Sequence, residues 1–417
     1  MTRRQDAGRG RLTGVLVAVA MAGTVALAGC SSDGPATPTG GVGGVEYQVD
    51  TGAVGPGALR AAETMPLLDR RVRANAHLAL RVRYVSTDGR TGRETETWAA
   101  ILAPKGPAPK DGRPVIVLAH GTSGVLGECG VTLQSSLGDL AVTAASWLQL
   151  GYVVVIPDYQ GLGDPGETRP THPYLDARTS GRNVIDSVRA ARNLLPQTGN
   201  RWGALGGSQG GQAVWAANAL SETYGGELEL VGVAALSPAS DVSGLADLAA
   251  HGKMTAEQYG LYNWLLLALS AENPQLDLSD YVGPEVIAHW DELSQCTALK
   301  GAQRGEVLGT LTADNLRPSS PEATSRLRKL LKERSIPDLR ASAPTIVIYG
   351  GKDELIPAQW TAATVRRSCA RGDEVHTQFQ PAADHGGVDG RQVVGWLTAR
   401  FAGDPSYNRC AEIERAG

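Results

Sequence analysis

The chain has 417 residues, of which 42% are hydrophobic, so it holds ample material for a packed core and room for more than one domain. That excludes a small scaffold that needs covalent staples to fold. Its formal net charge of −4 carries no basic surplus, which argues against a nucleic acid as partner.

At the start, Arg3, Arg4, Arg9 and Arg11 precede an apolar stretch from Leu12 to Ala28 that ends in Leu27-Ala28-Gly29-Cys30. A basic start, a short apolar run and small residues at its end read as a signal peptide over residues 1–29, too short for a membrane span. The ending resembles the lipobox of bacterial lipoproteins, in which the cysteine receives a diacylglyceryl group and becomes the mature N-terminus. Cys30 is therefore expected to hold the protein at the outer face of the cell membrane; an ordinary signal peptide with a chance cysteine is the plainer alternative. Arg3-Arg4 also suggests a twin-arginine signal, but the residues after it fit poorly. Ser31 to Gly44 is rich in Gly, Pro, Ser and Thr, and residues 30–60 are assigned to a flexible tether. Cys129, Cys296, Cys369 and Cys410 remain beyond Cys30, and an exported chain meets an oxidising environment. Two disulfides are expected, and spacing does not choose among the three pairings.

From Leu78 the chain alternates in strand fashion through Tyr84, turns at Asp88-Gly89 and resumes strand character through Leu102, an antiparallel opening hairpin. Buried strands then alternate with helices. Val115 to Ala119 precedes a helix around Leu140 to Leu150, Val153 to Ile156 precedes one from Asn183 to Leu195, and Trp202 to Leu205 precedes one from Gln212 to Thr223. Leu230 to Leu236, Thr345 to Tyr349 and Val375 to Phe379 continue the series. Such a sequence predicts an α/β fold with a mostly parallel sheet covered on both faces, whose chemistry sits at the carboxyl ends of the strands. The core is assigned to residues 61–240 and 344–417. Residues 241–343 read as helices and loops without a buried strand, an inserted helical cap. Its segment Leu261 to Leu269 is apolar nearly all round a helix, which suits a buried cap helix or a lid lining an apolar path; on the second view Trp264 and Leu267 contact substrate.

Gly206-Gly207-Ser208-Gln209-Gly210-Gly211 falls between a strand and a helix, where a serine among glycines forms a nucleophile elbow. With 52 glycines in the chain the pattern alone is weak, and context decides. A serine nucleophile in such a sheet wants an acid and then a histidine after it in the chain. Asp353 lies in the loop leaving the strand Thr345 to Tyr349, with Glu354 and Asp384 as competitors. His385 lies just beyond the strand Val375 to Phe379, whereas His376 lies within it. His120-Gly121-Thr122 closes the Val115 strand, so the backbone N–H groups of Thr122 and Gln209 are expected to converge as an oxyanion hole, with His120 propping the loop. His77, His172, His251 and His289 are scattered without metal-ligand spacing. Gly161 to Gly166 satisfies a dinucleotide-binding glycine pattern, but no helix opens there and an exported protein does not meet NAD.

Asp158-Tyr159-Gln160-Gly161-Leu162-Gly163, the His120-Gly121-Thr122 turn with Gly124 and Cys129, Gly207 to Gly211, and the Asp353 and His385 loops together resemble the secretory lipase family, of the Candida antarctica lipase A type. The resemblance spans most of residues 75–400. It implies an α/β-hydrolase fold with an inserted helical cap, a Ser208, Asp353 and His385 triad, oxyanion donors at Thr122 and Gln209, and action on carboxylic esters. It also implies the pairs Cys129 with Cys296 and Cys369 with Cys410. The family carries an acidic residue where this chain has Thr122, so only the backbone donor transfers.

The expected function is an exported, lipid-anchored serine carboxylic ester hydrolase, a lipase or esterase that works through an acyl-enzyme without cofactor or metal, as a monomer, on a small-molecule or lipid ester. A serine peptidase, amidase or acyltransferase on the same fold is the alternative, and a non-catalytic solute-binding lipoprotein a more distant one.

Overall fold

The computed structural model describes residues 44–166, 171–297 and 301–411; the leader, Cys30 and the tether up to residue 43 lie outside the described residues. Among these residues nine strands form one sheet in the order β1-β2-β3-β5-β4-β6-β7-β8-β9. They are β1 Leu59–Thr64, β2 Ala76–Thr87, β3 Glu94–Pro104, β4 Arg113–Ala119, β5 Val153–Pro157, β6 Thr198–Gly207, β7 Glu229–Leu236, β8 Thr345–Gly350 and β9 Val375–Gln380. The pairs from β1 to β5 along that order run antiparallel, and every pair from β5 to β9 is parallel.

Apolar side chains occupy both sides of the central strands, as a doubly covered parallel sheet requires. In β4, Val115, Val117 and Ala119 face one core with Val184, Val188 and Trp215 from the helices Ala177–Leu194 and Gln209–Tyr224. Ile116 and Leu118 face the opposite core, with Trp147 from the helix Ala141–Gln149 and Leu397 from the helix Val393–Ala402. The period of two along each strand thus splits one run of apolar residues between two helical layers. The chain is an α/β-hydrolase fold in which β3, β2 and β1 extend the sheet antiparallel.

Between β7 and β8 the described residues form helices and loops without a strand, from Leu245–Ala250 through Ala256–Glu272 to Pro321–Glu333. These have their own apolar core, built on Tyr262, Leu265, Leu266, Tyr281 and Leu327. Cys129–Cys296 ties the loop after β4 to this region, and Cys369–Cys410 ties the helix Ala358–Ala370 to the C-terminal segment, the pairing the resemblance implies. Among the described residues no helix is long and apolar enough to cross a membrane.

One boundary differs from the sequence reading. The sheet starts inside the stretch assigned to the tether: β1 begins at Leu59, and Tyr47 N–H donates to the Ala62 carbonyl at 2.8 Å. Only Leu59 and Ala62 of Leu-Arg-Ala-Ala-Glu-Thr turn inward, too few apolar residues to signal a strand.

Candidate active site

Strands β4, β6, β8 and β9 run parallel, so the loops after their carboxyl ends emerge on one edge of the sheet. Ser208 follows β6 and caps the helix Gln209–Tyr224 with φ 55° and ψ −118°. A non-glycine residue in that conformation costs about 1–3 kcal/mol and persists only where its surroundings hold it. Here they do: Ser208 N–H donates to the Leu236 carbonyl at 2.9 Å, while the Ser208 carbonyl accepts from Gln212 at 3.0 Å and Ala239 at 3.2 Å. The small neighbours reflect crowding. A Cβ on Gly206 would run into the Gly210 carbonyl, and one on Gly210 into the Ala119 carbonyl. Neither position leaves space for a side chain.

Asp353 and His385 meet directly. Asp353 Oδ2 accepts from His385 Nδ1 at 2.8 Å, and Oδ1 accepts the backbone N–H groups of Leu355 at 3.1 Å and Ile356 at 2.7 Å. A carboxylate that holds Nδ1–H leaves Nε2 as the bare, basic nitrogen, the form that takes a proton from a hydroxyl. His385 Nε2 is buried and has no partner among the described residues, Ser208 included. Glu354 and Asp384 are more open to solvent than Asp353; Asp384 Oδ1 accepts from Gly387 N–H at 2.7 Å. His376 lies in β9 with Nδ1 3.2 Å from the Tyr407 carbonyl.

The turn after β4 lies beside the elbow because Ala119 pairs with Gly206 in the register of β4 and β6. A Cβ on Gly121 would stand 4.0 Å from Ser208 Cβ. Thr122 is next, and its hydroxyl is 2.6 Å from the Tyr174 hydroxyl. Gln209 is the first residue of its helix, a position whose N–H has no intrahelical acceptor. Thr122 thus follows a glycine that lies against Ser208, and Gln209 opens the helix after it, a layout suited to two backbone donors aimed at one oxygen.

His120 is buried, with Nδ1 2.6 Å and Nε2 3.3 Å from the carbonyls of Gly121 and Asp158. Burial lowers its pKa, against the pull of nearby Asp158, and the ring forms part of the loop's support. The Asp158-Tyr159-Gln160 motif belongs to the same support. Asp158 Oδ1 accepts Thr132 N–H at 3.0 Å, Tyr159 hydroxyl donates to the His120 carbonyl at 2.9 Å, and Gln160 N–H donates to Asn183 at 2.8 Å. Beyond this motif Gly163 is closely packed: a Cβ there would strike the Asp158 carboxylate and Trp98.

Trp264 and Leu267 lie on the helix Ala256–Glu272. The Trp264 ring carries the Arg304 guanidinium 3.5 Å from its centre and meets the Tyr174 ring edge-on at 6.2 Å. At 5% exposure Trp264 packs in the cap's core, and Leu267 is half-buried; a substrate contact at either is a proposal. The helix buries residues on nearly every side, which is what its apolar circumference permits without any channel. A cavity of about 770 Å³ opens at the C-terminal end of this helix, lined by Leu269, Glu272 and Arg334 and by none of Ser208, Asp353 and His385.

Two residues near the elbow escaped the sequence reading. His172 and Tyr174 bond to Gln209 and Thr122 respectively, and a loop His-Pro-Tyr with no motif around it gives no signal of that.

Residues 130–409 match the family model described as "Secretory lipase". Among curated proteins, Lipase 2 of Candida albicans is 28% identical over 300 residues, covering 64% of this chain and 59% of that protein. A Mycobacterium tuberculosis protein named "Probable inactive lipase MT1628" is 26% identical over 283 residues, covering 64% of this chain and 58% of its own length. This chain therefore spans less than two thirds of those relatives. Among solved structures, Candida antarctica lipase A in its closed state superposes with a TM-score of 0.67 at 17% identity, covering 86% of this chain and 85% of that one.

Proposed function

This chain belongs to the secretory lipase family, and we propose that it is a serine carboxylic ester hydrolase acting through an acyl-enzyme. Membership alone does not carry activity, since one relative bears the name of an inactive lipase. The observation that carries the reading is the Asp353–His385 bond, which leaves a bare, buried Nε2 at the sheet edge where Ser208 sits on a strained elbow.

In this reading Ser208 Oγ attacks the ester carbonyl while His385 Nε2 takes its proton, and the electron pair of the carbonyl moves onto an oxyanion faced by Thr122 and Gln209 N–H. His385 then gives the proton to the leaving alcohol, and the acyl group stays on Ser208. Water attacks that ester in turn, its proton passing through His385 back to Ser208. Asp353 keeps the proton on Nδ1 throughout and balances the transient imidazolium. Export fits both the family and the leader sequence. Lipid attachment at Cys30 rests on the sequence around it, and two acyl chains there would suffice for stable membrane attachment.

The test is turnover of p-nitrophenyl esters of graded chain length beside an aminoacyl anilide. Ester turnover with little or no anilide turnover supports the reading; faster anilide turnover would move the protein to the amidases.

A further inference from the structure

The segment from His172 to Tyr174 touches both flanks of the elbow. His172 is 1% exposed, in the loop between β5 and the helix Ala177–Leu194. Its Nδ1 lies 2.8 Å from the Gln160 carbonyl, which only accepts, so Nδ1 carries the ring proton. Nε2 is then bare and accepts the Gln209 side-chain amide at 2.6 Å. Burial pushes the ring's pKa down to about 3, so this neutral form holds at any pH at which an ester hydrolase works. The ring also stacks on Tyr159 at 5.9 Å, whose hydroxyl holds the carbonyl of His120.

Tyr174 is 2% exposed and sets its hydroxyl 2.6 Å from Thr122 Oγ1. Its ring is backed by Trp264, itself covered by Arg304, so the hydroxyl stands on a stiff post. The two residues are joined by their own backbone: Tyr174 N–H donates to the His172 carbonyl at 2.7 Å, and His172 N–H to the Val125 carbonyl at 3.0 Å, a short step along the chain from Thr122. One short segment therefore grips both residues that flank Ser208.

We propose that His172 and Tyr174 are positioning residues that fix the two backbone donors of the oxyanion site relative to each other, His172 through the Gln209 side chain and Tyr174 through the Thr122 hydroxyl. The inference rests on the reading of Thr122 and Gln209 as oxyanion donors. Such donors stabilise a transition state because they are already aimed and need no reorganisation when charge develops. Thr122 comes after the exposed Gly121 in a loop, and without a strut its N–H could drift by the ångström that matters. Gln209 comes directly after a strained residue, and its anchored side chain resists rotation of the same peptide.

The experiment uses the whole chain, with turnover of a short p-nitrophenyl ester and affinity for an alkyl trifluoromethyl ketone, which mimics the tetrahedral state. His172→Gln keeps an acceptor where Nε2 stands, His172→Asn keeps a donor where Nδ1 stands, and His172→Phe keeps neither. His172→Phe should lower kcat by about tenfold or more with KM within about twofold, and weaken the ketone by a similar factor. His172→Gln should recover most of both losses and His172→Asn little. Tyr174→Phe, which removes one oxygen and serves if His172→Phe fails to fold, should lower kcat by about three- to tenfold, and Thr122→Val added to it should cost little more. Unchanged kcat and ketone affinity in His172→Phe or Tyr174→Phe would overturn the proposal, as would equal rescue by His172→Gln and His172→Asn. Ser208→Ala in the same assay separates the two levels. If it abolishes turnover while the positioning variants stay at wild-type values, only this inference falls; if turnover survives it, the oxyanion reading falls and this inference with it.

Discussion

Asp353 binds His385 with one carboxylate oxygen and two backbone N–H groups with the other, so the carboxylate that holds Nδ1 is itself fixed by residues near the end of the loop that carries it. The arrangement is asymmetric: Nδ1 of His385 is satisfied, and Nε2 is buried and bare. Asp353→Asn should present an amide to Nδ1, favour the other tautomer and lower kcat on the order of 10⁴-fold with the fold intact. Steady-state kinetics and circular dichroism check it. Asp384→Asn should remain near wild type, because an amide oxygen can still accept from Gly387 N–H as the carboxylate does at 2.7 Å. A loss at Asp384 equal to that at Asp353 would contradict the assignment.

The disulfide Cys369–Cys410 closes a separation of 41 residues between a core helix and the C-terminal segment. Replacing both cysteines with serine should lower stability by roughly 3–4 kcal/mol on the chain-entropy account, while ester turnover at room temperature persists. Thermal unfolding of the two proteins gives the difference. An unchanged Tm would show that the crosslink adds nothing to the stability of the fold.

Trp264→Ala removes a buried ring from between Arg304 and Tyr174. It should destabilise the protein by about 3–5 kcal/mol, the usual cost of a large cavity in a core. Preference along a series of p-nitrophenyl esters should stay as in the wild type. A shift of preference at unchanged Tm would return Trp264 to the wall of a substrate path; Leu267→Ala, at a half-buried position, is the companion variant.

Cys30→Ala should move the protein from the membrane fraction to the medium or leave its leader uncleaved. Mass spectrometry of the N-terminal peptide decides the point. Recovery of wild-type peptide with an unmodified Cys30 would dispose of the anchor.

The parts of this molecule that were legible in its sequence are those where local rules and the fold agree. The runs Val115 to Ala119, Val153 to Ile156 and Thr345 to Tyr349 are strands because β-branched residues bounded by turns have few other options. Ser208 was readable because only small neighbours fit where backbone passes within contact of backbone at Gly206 and Gly210. That Asp353 and His385 come together is readable from their places just beyond the ends of β8 and β9. β1 was hidden by its two alanines and arginine, which lend it little strand character. The face that Trp264 presents was undecidable, since a helix apolar all round suits a core and a lid equally well. His172 and Tyr174 were invisible for a different reason: their partners lie 37 and 52 residues away, and only the folded loop brings them together.

The most direct test of the central claim is to treat the protein with an alkyl fluorophosphonate and map the adduct while following ester turnover. A serine made nucleophilic by His385 should take one phosphonyl group at Ser208, with turnover lost in proportion to labelling, and Asp353→Asn should label far more slowly. Full turnover with Ser208 unmodified, or an adduct on another residue that tracks the loss, would contradict the account.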